Sequence, residues 1–226
     1  MDDHIKIQLK VTSLLLEYPD EVFIRSLPLI EIRIAQLPDS YAKDKLVRFT
    51  SYLQTTPLIH LQETYTEAFD MNPSTCLNLT YHLLGDSEKR GNVMACMRQI
   101  YREAGYETTT GELPDYLPLI LEFLSECPAS DRTETLWSYL GAVEKPAGAL
   151  RNAGNPYSLL LDVVRDLAAE FSVQCSEVRV RKSEDGRQRT DGRRKIALRW
   201  RVNFARKRDD GRRTRGRRSE VGCRKQ

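Results

Sequence analysis

The chain has few residues of the kinds that build catalytic or metal sites. Its 226 residues include only three histidines, and its five cysteines are scattered. The sequence contains no Cys-x-x-Cys, His-Glu-x-x-His, Gly-x-Ser-x-Gly, phosphate-binding loop or Gly-x-Gly-x-x-Gly motif. Cys76 and His82 lie six residues apart, a spacing that does not place both side chains cleanly on one helical face. We therefore predict no metal site and no cofactor. The missing motifs leave no specific enzyme hypothesis, although they do not exclude catalysis, because catalytic triads can assemble from distant residues.

Long hydrophobic runs are also missing. No apolar stretch approaches the ~18 residues that a membrane-spanning helix requires, and the mean hydropathy is −0.51. The N-terminal segment Met1-Asp2-Asp3-His4 is acidic, whereas a secretory signal begins with basic residues. An odd number of dispersed cysteines does not suggest a disulfide framework. We expect a cytoplasmic chain with reduced thiols and no stable insertion into the membrane.

Charge and proline are distributed unevenly along the chain. Residues 1–176 contain 15 Lys and Arg against 25 Asp and Glu, a net charge of −10. Residues 177–226 contain 20 against 7, a net charge of +13, and all ten prolines lie in the first part. We predict one folded domain at 1–175, followed by a basic, Arg/Gly-rich tail at 176–226.

The first part has the periodicity of helices. Apolar residues recur three and four positions apart through most of residues 5–172, and no sustained period-2 alternation occurs there. One such stripe consists of Leu117, Ile120, Leu121 and Leu124. We predict an all-α fold, a single compact multi-helix domain of roughly seven to nine helices with one core.

Proline and acidic residues predict where several helices begin. Most prolines fall between the apolar stripes, where helices start or stop. Asp115 is expected to cap a helix that has Pro118 in its first turn. Asp131 and Glu134 have the spacing of a capping box at the next helix.

The basic tail leaves three interpretations open. Its sparse apolar content predicts disorder, because such a segment buries too little surface to offset the entropy of ordering. The abrupt loss of helical periodicity near residue 173 also fits a shifted reading frame. Its Lys and Arg density would allow nonspecific contact with nucleic acid phosphates, although only Trp200 and Phe204 could stack on bases.

Four blocks of the first part occur in the order and spacing of a known family. They are LLEYPD at 15–20, YTEAFD at 65–70, LNLTYHLLGDSEKRG at 77–91 and ELPDYLP at 112–118. Together they resemble the nitrate reductase delta-subunit family, NarJ-like assembly chaperones related to the TorD/DmsD group. Met71 and Tyr116 depart from residues common in that family, and the resemblance stops near residue 172.

The resemblance implies an all-helical, cytoplasmic, non-catalytic chaperone. Such proteins bind the apo catalytic subunit of a membrane-bound nitrate reductase or a related molybdoenzyme, often at an N-terminal leader-like segment. They hold it until the molybdenum cofactor is inserted. The alternative is a helical interaction module whose basic tail binds nucleic acid, a partner that we consider disfavoured.

We expect the client peptide to lie in a groove between a helix at 77–85 and the segment 113–122. An acidic rim would attract a basic peptide, and an apolar floor would bind its hydrophobic side chains. The candidate contacts are Tyr81, His82, Asp86, Arg90, Leu113, Pro114, Asp115, Tyr116, Leu117 and Glu122. Several have structural alternatives: Asp115 as a helix cap, Pro114 as a turn residue, His82 as a core residue, and Arg90 as a partner of Glu67 or Asp86.

Overall fold

A computed structural model describes residues 2–108, 111–127 and 133–184, and side chains as far as residue 172. These ranges contain ten α-helices and no β-strand, which confirms the predicted all-α class. The count exceeds the expected seven to nine because helices as short as six residues leave almost no periodic signal. The helices are α1 Asp3–Leu15, α2 Glu21–Ala35, α3 Tyr41–Thr55, α4 Leu58–Tyr65, α5 Leu79–Leu84, α6 Glu88–Glu103, α7 Leu117–Glu126, α8 Thr133–Leu140, α9 Glu144–Asn152 and α10 Ser158–Glu184.

Local capping explains where the first three helices begin. The side chains of Asp2, Asp20 and Ser40 each accept a hydrogen bond from a backbone N–H in the first turn of the helix that follows. These bonds satisfy donors that have no partner within the helix. At the other end of a helix, α5 stops at Gly85, whose φ of 57° lies in the region that favours glycine.

The core is centred on α7, which is buried along nearly its whole length. Of the α7 residues before Glu126, only Glu122 is not buried. Helix α1 packs against α7, while α10 packs against α3, α8 and α9. An aromatic cluster links the residue just before α10 to α3 and to the end of α4. The ring of Tyr157 lies 5.0 Å from Phe49, 5.0 Å from Phe69 and 5.6 Å from Tyr65.

A π-helical turn follows α4 directly and keeps the same apolar face in the core. The turn comprises Thr66–Asp70 and buries Ala68 and Phe69. A one-residue widening of this kind shifts the register of a helix without ending it. The stripe that began in α4 therefore continues to Phe69, and Asp70 and Met71 emerge at the surface.

One ion-pair network crosses the core boundary. The Nζ atom of Lys45 on α3 lies 3.0 Å from Asp166 and 3.8 Å from Asp162 on α10. The Lys45 side chain is only 2% exposed, so its charge depends on these two carboxylates. The periodicity of the sequence predicted both helices but not this charged link between them.

The expected start of α7 can be compared with the structure. Pro118 does lie in the first turn of α7, but the capping residue is Tyr116, so the predicted cap at Asp115 is wrong. The expected capping box at Asp131 and Glu134 involves a residue outside the described ranges. Helix α10 passes the predicted domain boundary at 175, and the expectations for the rest of the tail lie outside the described residues. No helix within the described ranges combines the length and apolarity that crossing a membrane requires.

Candidate functional site

Segments 77–79 and 115–117 are joined directly through their backbones. The Leu79 N–H donates to the Asp115 carbonyl oxygen at 3.0 Å, and the Leu117 N–H donates to the Leu77 carbonyl at 2.8 Å. Asn78 and Tyr116 form the isolated antiparallel bridge between these bonds. The predicted groove is therefore closed at this point, because two extended backbones satisfy each other there instead of facing a ligand.

The carboxylate of Asp115 is completely buried and already has its partners. It accepts hydrogen bonds from Asn78 Nδ2 at 3.2 Å, from Arg90 Nη2 at 3.2 Å and from the hydroxyl of Thr80. Arg90 Nε also donates to Thr80 Oγ1 at 3.1 Å. Asp115 is 0% exposed, so it cannot meet a client cation as we expected. A bound carboxylate of this kind holds α5, α6 and the start of α7 together.

Tyr81, His82 and Arg90 are half-buried and lie beside the exposed Asp86, which joins α5 to α6. The guanidinium of Arg90 lies 5.6 Å from the centre of the Tyr81 ring and 3.8 Å from the exposed carboxylate of Asp86. The partners of Arg90 are thus Asp86 and Asp115. His82 Nε2 lies 2.7 Å from the carbonyl oxygen of Cys76, which can only accept, so Nε2 carries the hydrogen.

The predicted residues around the start of α7 divide into buried and accessible groups. Leu117 belongs to the core, and Pro114 is buried with its carbonyl accepting a hydrogen bond from the Tyr101 hydroxyl at 2.8 Å. Leu113 is 38% exposed and Tyr116 is half-buried, so these two side chains remain accessible. Burial of Leu117 and Pro114 follows from the backbone junction, which draws this segment inward.

Tyr116 belongs to a second group of residues that the sequence does not bring together. Its hydroxyl lies 3.3 Å from the hydroxyl of Tyr65, which donates to the Leu16 carbonyl at 3.2 Å. The ring of Tyr18, which is 46% exposed, stands edge-on to Tyr65 at a centroid distance of 5.4 Å. Three tyrosines from distant parts of the chain thus form one aromatic floor.

Carboxylates surround this floor. Glu17 keeps part of its side chain in solvent, yet the protein packed around its carboxyl group raises its pKa to about 7, with the charges of Glu122 and Glu112 adding to the effect. Burial, followed by the charge of Glu17 and those of Glu112 and Asp70, likewise raises the pKa of Tyr116. These shifts show that the four carboxylates act on one small region.

Glu122 has a cation beside it. It forms an ion pair with Lys10 of α1, and burial raises its pKa despite that partner. We call the region the acidic–aromatic surface. Its members are Glu17, Tyr18, Asp70, Glu112, Leu113, Tyr116 and Glu122.

Sequence reasoning identified three members of this surface, Leu113, Tyr116 and Glu122, and missed the other four. A signal for the rest was present, because the blocks at 15–20 and 65–70 each place acidic residues beside aromatic ones. We used those blocks to recognise the family but did not treat their residues as a site. Their convergence depends on α1 packing against α7, which no local pattern predicts.

The acidic–aromatic surface has the chemistry to bind a cationic, amphipathic polypeptide. Its carboxylates would attract Lys and Arg, and its tyrosine rings and Leu113 would contact apolar side chains. Within the described residues, no group of three or more His, Cys, Asp or Glu side chains is arranged to hold a metal ion.

Comparison with known proteins agrees with the motif pattern. A family model described as the nitrate reductase delta subunit matches residues 35–156. The chain is 32% identical over 196 residues to the probable nitrate reductase molybdenum cofactor assembly chaperone NarW of Escherichia coli K12, covering 85% of this chain and 80% of the relative. It is 30% identical over 159 residues to the corresponding probable chaperone NarJ of Bacillus subtilis, covering 70% and 86%.

A further relative is the nitrate reductase molybdenum cofactor assembly chaperone NarJ of Escherichia coli K12, 32% identical over 164 residues, with 72% of this chain and 70% of the relative covered. The NarW match spans more residues than 1–175 contain, so it continues into the basic tail. The resemblance therefore extends beyond residue 172, where we expected it to stop. None of these relatives supports the alternative of a nucleic-acid-binding module. The chain belongs to the nitrate reductase delta subunit family.

Proposed function

We propose that this chain is a cytoplasmic assembly chaperone, not an enzyme, that binds the apo catalytic subunit of a nitrate reductase or related molybdoenzyme until the molybdenum cofactor is inserted. Its relatives carry names of that function and match most of the chain. The observation that carries the proposal is the acidic–aromatic surface, because it offers a member of this family a site for a basic, apolar peptide.

The client segment would bind through two kinds of contact. The carboxylates of Glu17, Asp70 and Glu112, all exposed, would pair with client Lys and Arg side chains and speed the encounter. Tyr18 and Leu113, both partly exposed, would supply apolar contact on the same surface. Burial of apolar side chains contributes most of the affinity of a helix docked on such a surface, while the charged rim selects basic segments.

The cluster of Asp115 and Arg90 would support this surface without touching the client. It ties α5 and α6 to the residues that immediately precede α7, where Leu113 and Tyr116 lie. Of the residues that we predicted to bind the peptide, Tyr81, His82 and Asp86 would lie beside this support, and Glu122 would lie at the edge of the surface next to Lys10.

The test is a titration of the full chain with the N-terminal peptide of a catalytic subunit encoded beside it. Glu17→Gln combined with Glu112→Gln is expected to weaken binding by about tenfold, which corresponds to ~1.4 kcal/mol. The control is Glu170→Gln, which removes one exposed carboxylate of α10 outside the acidic–aromatic surface. Calorimetry measures both variants, and circular dichroism verifies that they fold.

Two results would contradict the proposal. One is the absence of binding to the N-terminal peptide and to the whole apo-subunit. The other is normal loading of the molybdenum cofactor in cells that lack the gene. Binding of the peptide with equal loss in the control variant would contradict the location of the site and leave the chaperone function standing.

A further inference from the structure

The basic tail contains one segment whose chemistry complements the acidic–aromatic surface. Residues 195–208, KIALRWRVNFARKR, contain six Lys and Arg and no Asp or Glu. Apolar residues alternate with polar or small ones through the middle of the segment, at Ile196, Leu198, Trp200, Val202 and Phe204. The rest of residues 185–226 is also basic but has almost no apolar side chain, so this segment alone combines both properties there.

The acidic–aromatic surface presents the opposite charge beside apolar contacts. Glu17, Asp70 and Glu112 carry its exposed carboxylates, and Tyr18 and Leu113 are 46% and 38% exposed. Burial raises the pKa of Glu17, and the negative charges of Glu122 and Glu112 raise it further, so these carboxylates lie close enough to repel one another. A cationic segment would relieve that repulsion, because each Lys or Arg placed there replaces a like-charge contact with an attractive one.

The length of the chain allows residues 195–208 to reach the acidic–aromatic surface. The structure describes α10 as far as Glu184, and eleven peptide units separate that residue from Lys195. Eleven extended residues span up to about 40 Å, whereas a body of this size has a radius of gyration of about 16 Å. The segment can therefore reach most of the body's surface, at an effective concentration in the millimolar range.

We propose that residues 195–208 occupy the acidic–aromatic surface of the same chain when no client is bound. The segment acts as an internal competitor that a client peptide must displace. Occupation of the surface rests on charge and apolar complementarity within this chain, while the competition with a client rests on the proposed function. The selectivity of the chaperone would then exceed that of an open acidic surface, because weakly binding basic peptides fail to displace the segment.

Zero-length carbodiimide cross-linking of the full chain tests the occupation directly. The reagent joins a lysine amine to a carboxylate only where the two form an ion pair. Lys195 and Lys207 lie within the segment, and Lys225 lies outside it and serves as the internal reference. We expect links from Lys195 or Lys207 to Glu17, Asp70 or Glu112, within one molecule as judged by mixing of isotope-labelled and unlabelled chains. Links spread over other body carboxylates, or formed only between molecules, would overturn the proposal.

Two full-length variants with equal charge loss test the competition. One carries Arg199→Gln, Arg201→Gln and Arg206→Gln within the segment, and the other carries Arg213→Gln, Arg215→Gln and Arg217→Gln outside it. We expect the first to bind the client peptide about tenfold more tightly than the parent, and the second to change affinity less than about twofold. Equal changes in both variants would show general charge attraction and would overturn the proposal.

The outcomes separate this inference from the proposed function. Intramolecular links to Glu17 or Glu112 in the parent chain, together with no client binding even when Arg199, Arg201 and Arg206 are replaced by Gln, would support the occupation and contradict the chaperone function. Client binding that neither set of Arg substitutions alters, in a chain that forms no such links, would contradict this inference alone. A gel shift with nucleic acid that only the 199, 201 and 206 substitutions abolish, without links to the body, would assign the segment to that partner and overturn the proposal.

Discussion

The hydroxyl groups of Tyr65 and Tyr116 lie 3.3 Å apart, although 51 positions separate the two residues in the sequence. Tyr65 ends α4 and Tyr116 immediately precedes α7, so this contact joins the π-helical turn to the central helix of the core. Burial raises the pKa of both phenols, and the nearby charge of Glu17 raises them further. Both hydroxyls therefore remain protonated and available for hydrogen bonding across the physiological pH range.

Removal of one hydroxyl should weaken the fold slightly without unfolding it. Tyr116→Phe is expected to lower the free energy of unfolding by roughly 0.5–1.5 kcal/mol, because Tyr65 keeps its bond to the Leu16 carbonyl. Tyr41→Phe, at a side chain that is 69% exposed, is the matched control. Urea denaturation measures both, and equal effects in the two variants would show that the Tyr65–Tyr116 contact contributes nothing.

The two acidic partners of Arg90 should differ strongly in their contribution to stability. Asp115 is completely buried, so Asp115→Ala leaves the mostly buried guanidinium without its main partner and should cost roughly 3–5 kcal/mol. The side chain of Asp86 is 84% exposed at 3.8 Å, so Asp86→Ala should cost less than about 1 kcal/mol. Thermal and urea unfolding provide the comparison, and similar losses would contradict the role assigned to Asp115.

The buried ammonium group of Lys45 should contribute more to the free energy of unfolding than an exposed ammonium group does. Lys45→Ala leaves a cavity between α3 and α10, at a cost of roughly 2–5 kcal/mol, while Asp162 and Asp166 keep their ion pairs with Arg165. Lys45→Met restores the packing of the aliphatic stem and should recover part of that loss. Lys6→Ala, at an exposed pair with Asp3, should change stability by about 0.5 kcal/mol or less.

Glu17 should make the stability of the fold depend on pH. Its pKa is raised from 4.5 to about 7, so the folded state holds a proton on this group more firmly than the unfolded chain does. The stabilisation is complete below pH 4.5 and is lost as the pH rises through 7. Glu17→Gln should therefore be more stable than the parent at pH 8, with the difference vanishing towards pH 4. A difference that stays constant with pH would contradict this assignment.

The same titration should control the binding of a basic client peptide. Deprotonation of Glu17 adds a negative charge beside Glu112 and Glu122, so affinity should rise from pH 6 to pH 8 and binding should release protons. Calorimetry in buffers of different ionisation enthalpy measures that release. Glu17→Gln should flatten the pH profile, and an unchanged profile would assign the titration to another group.

Periodicity predicted the helical class because it depends on residues three and four positions apart. The stripe at Leu117, Ile120, Leu121 and Leu124 became the buried face of α7, and Leu61, Tyr65 and Phe69 remained on one buried face across the π-helical turn. The helix expected at 77–85 is present in shorter form as α5, Leu79–Leu84. Its bounds were harder to predict, since six residues make fewer than two turns.

The predicted role of Asp115 shows where local reasoning fails. An acidic residue before an apolar helical stripe is typical of a cap, and the local sequence offers no competing partner. The competitor is Arg90, which lies 25 positions away and supplies a full positive charge in a buried setting. A hydrogen bond between a carboxylate and a guanidinium is stronger than a capping hydrogen bond from a backbone N–H. The Asp115 carboxylate therefore binds Arg90 instead of capping α7.

The sequence by itself determined the class of the fold, the family and the contrast between an acidic first part and a basic tail, since each depends on composition or on neighbouring residues. The tertiary structure alone decided that Glu17, Asp70, Glu112 and Glu122 share one surface and that the expected groove is closed at Asn78 and Tyr116. Packing of α1 against α7 brings together residues about a hundred positions apart. A distance of that kind depends on how the whole core fills space, which no short window of sequence encodes.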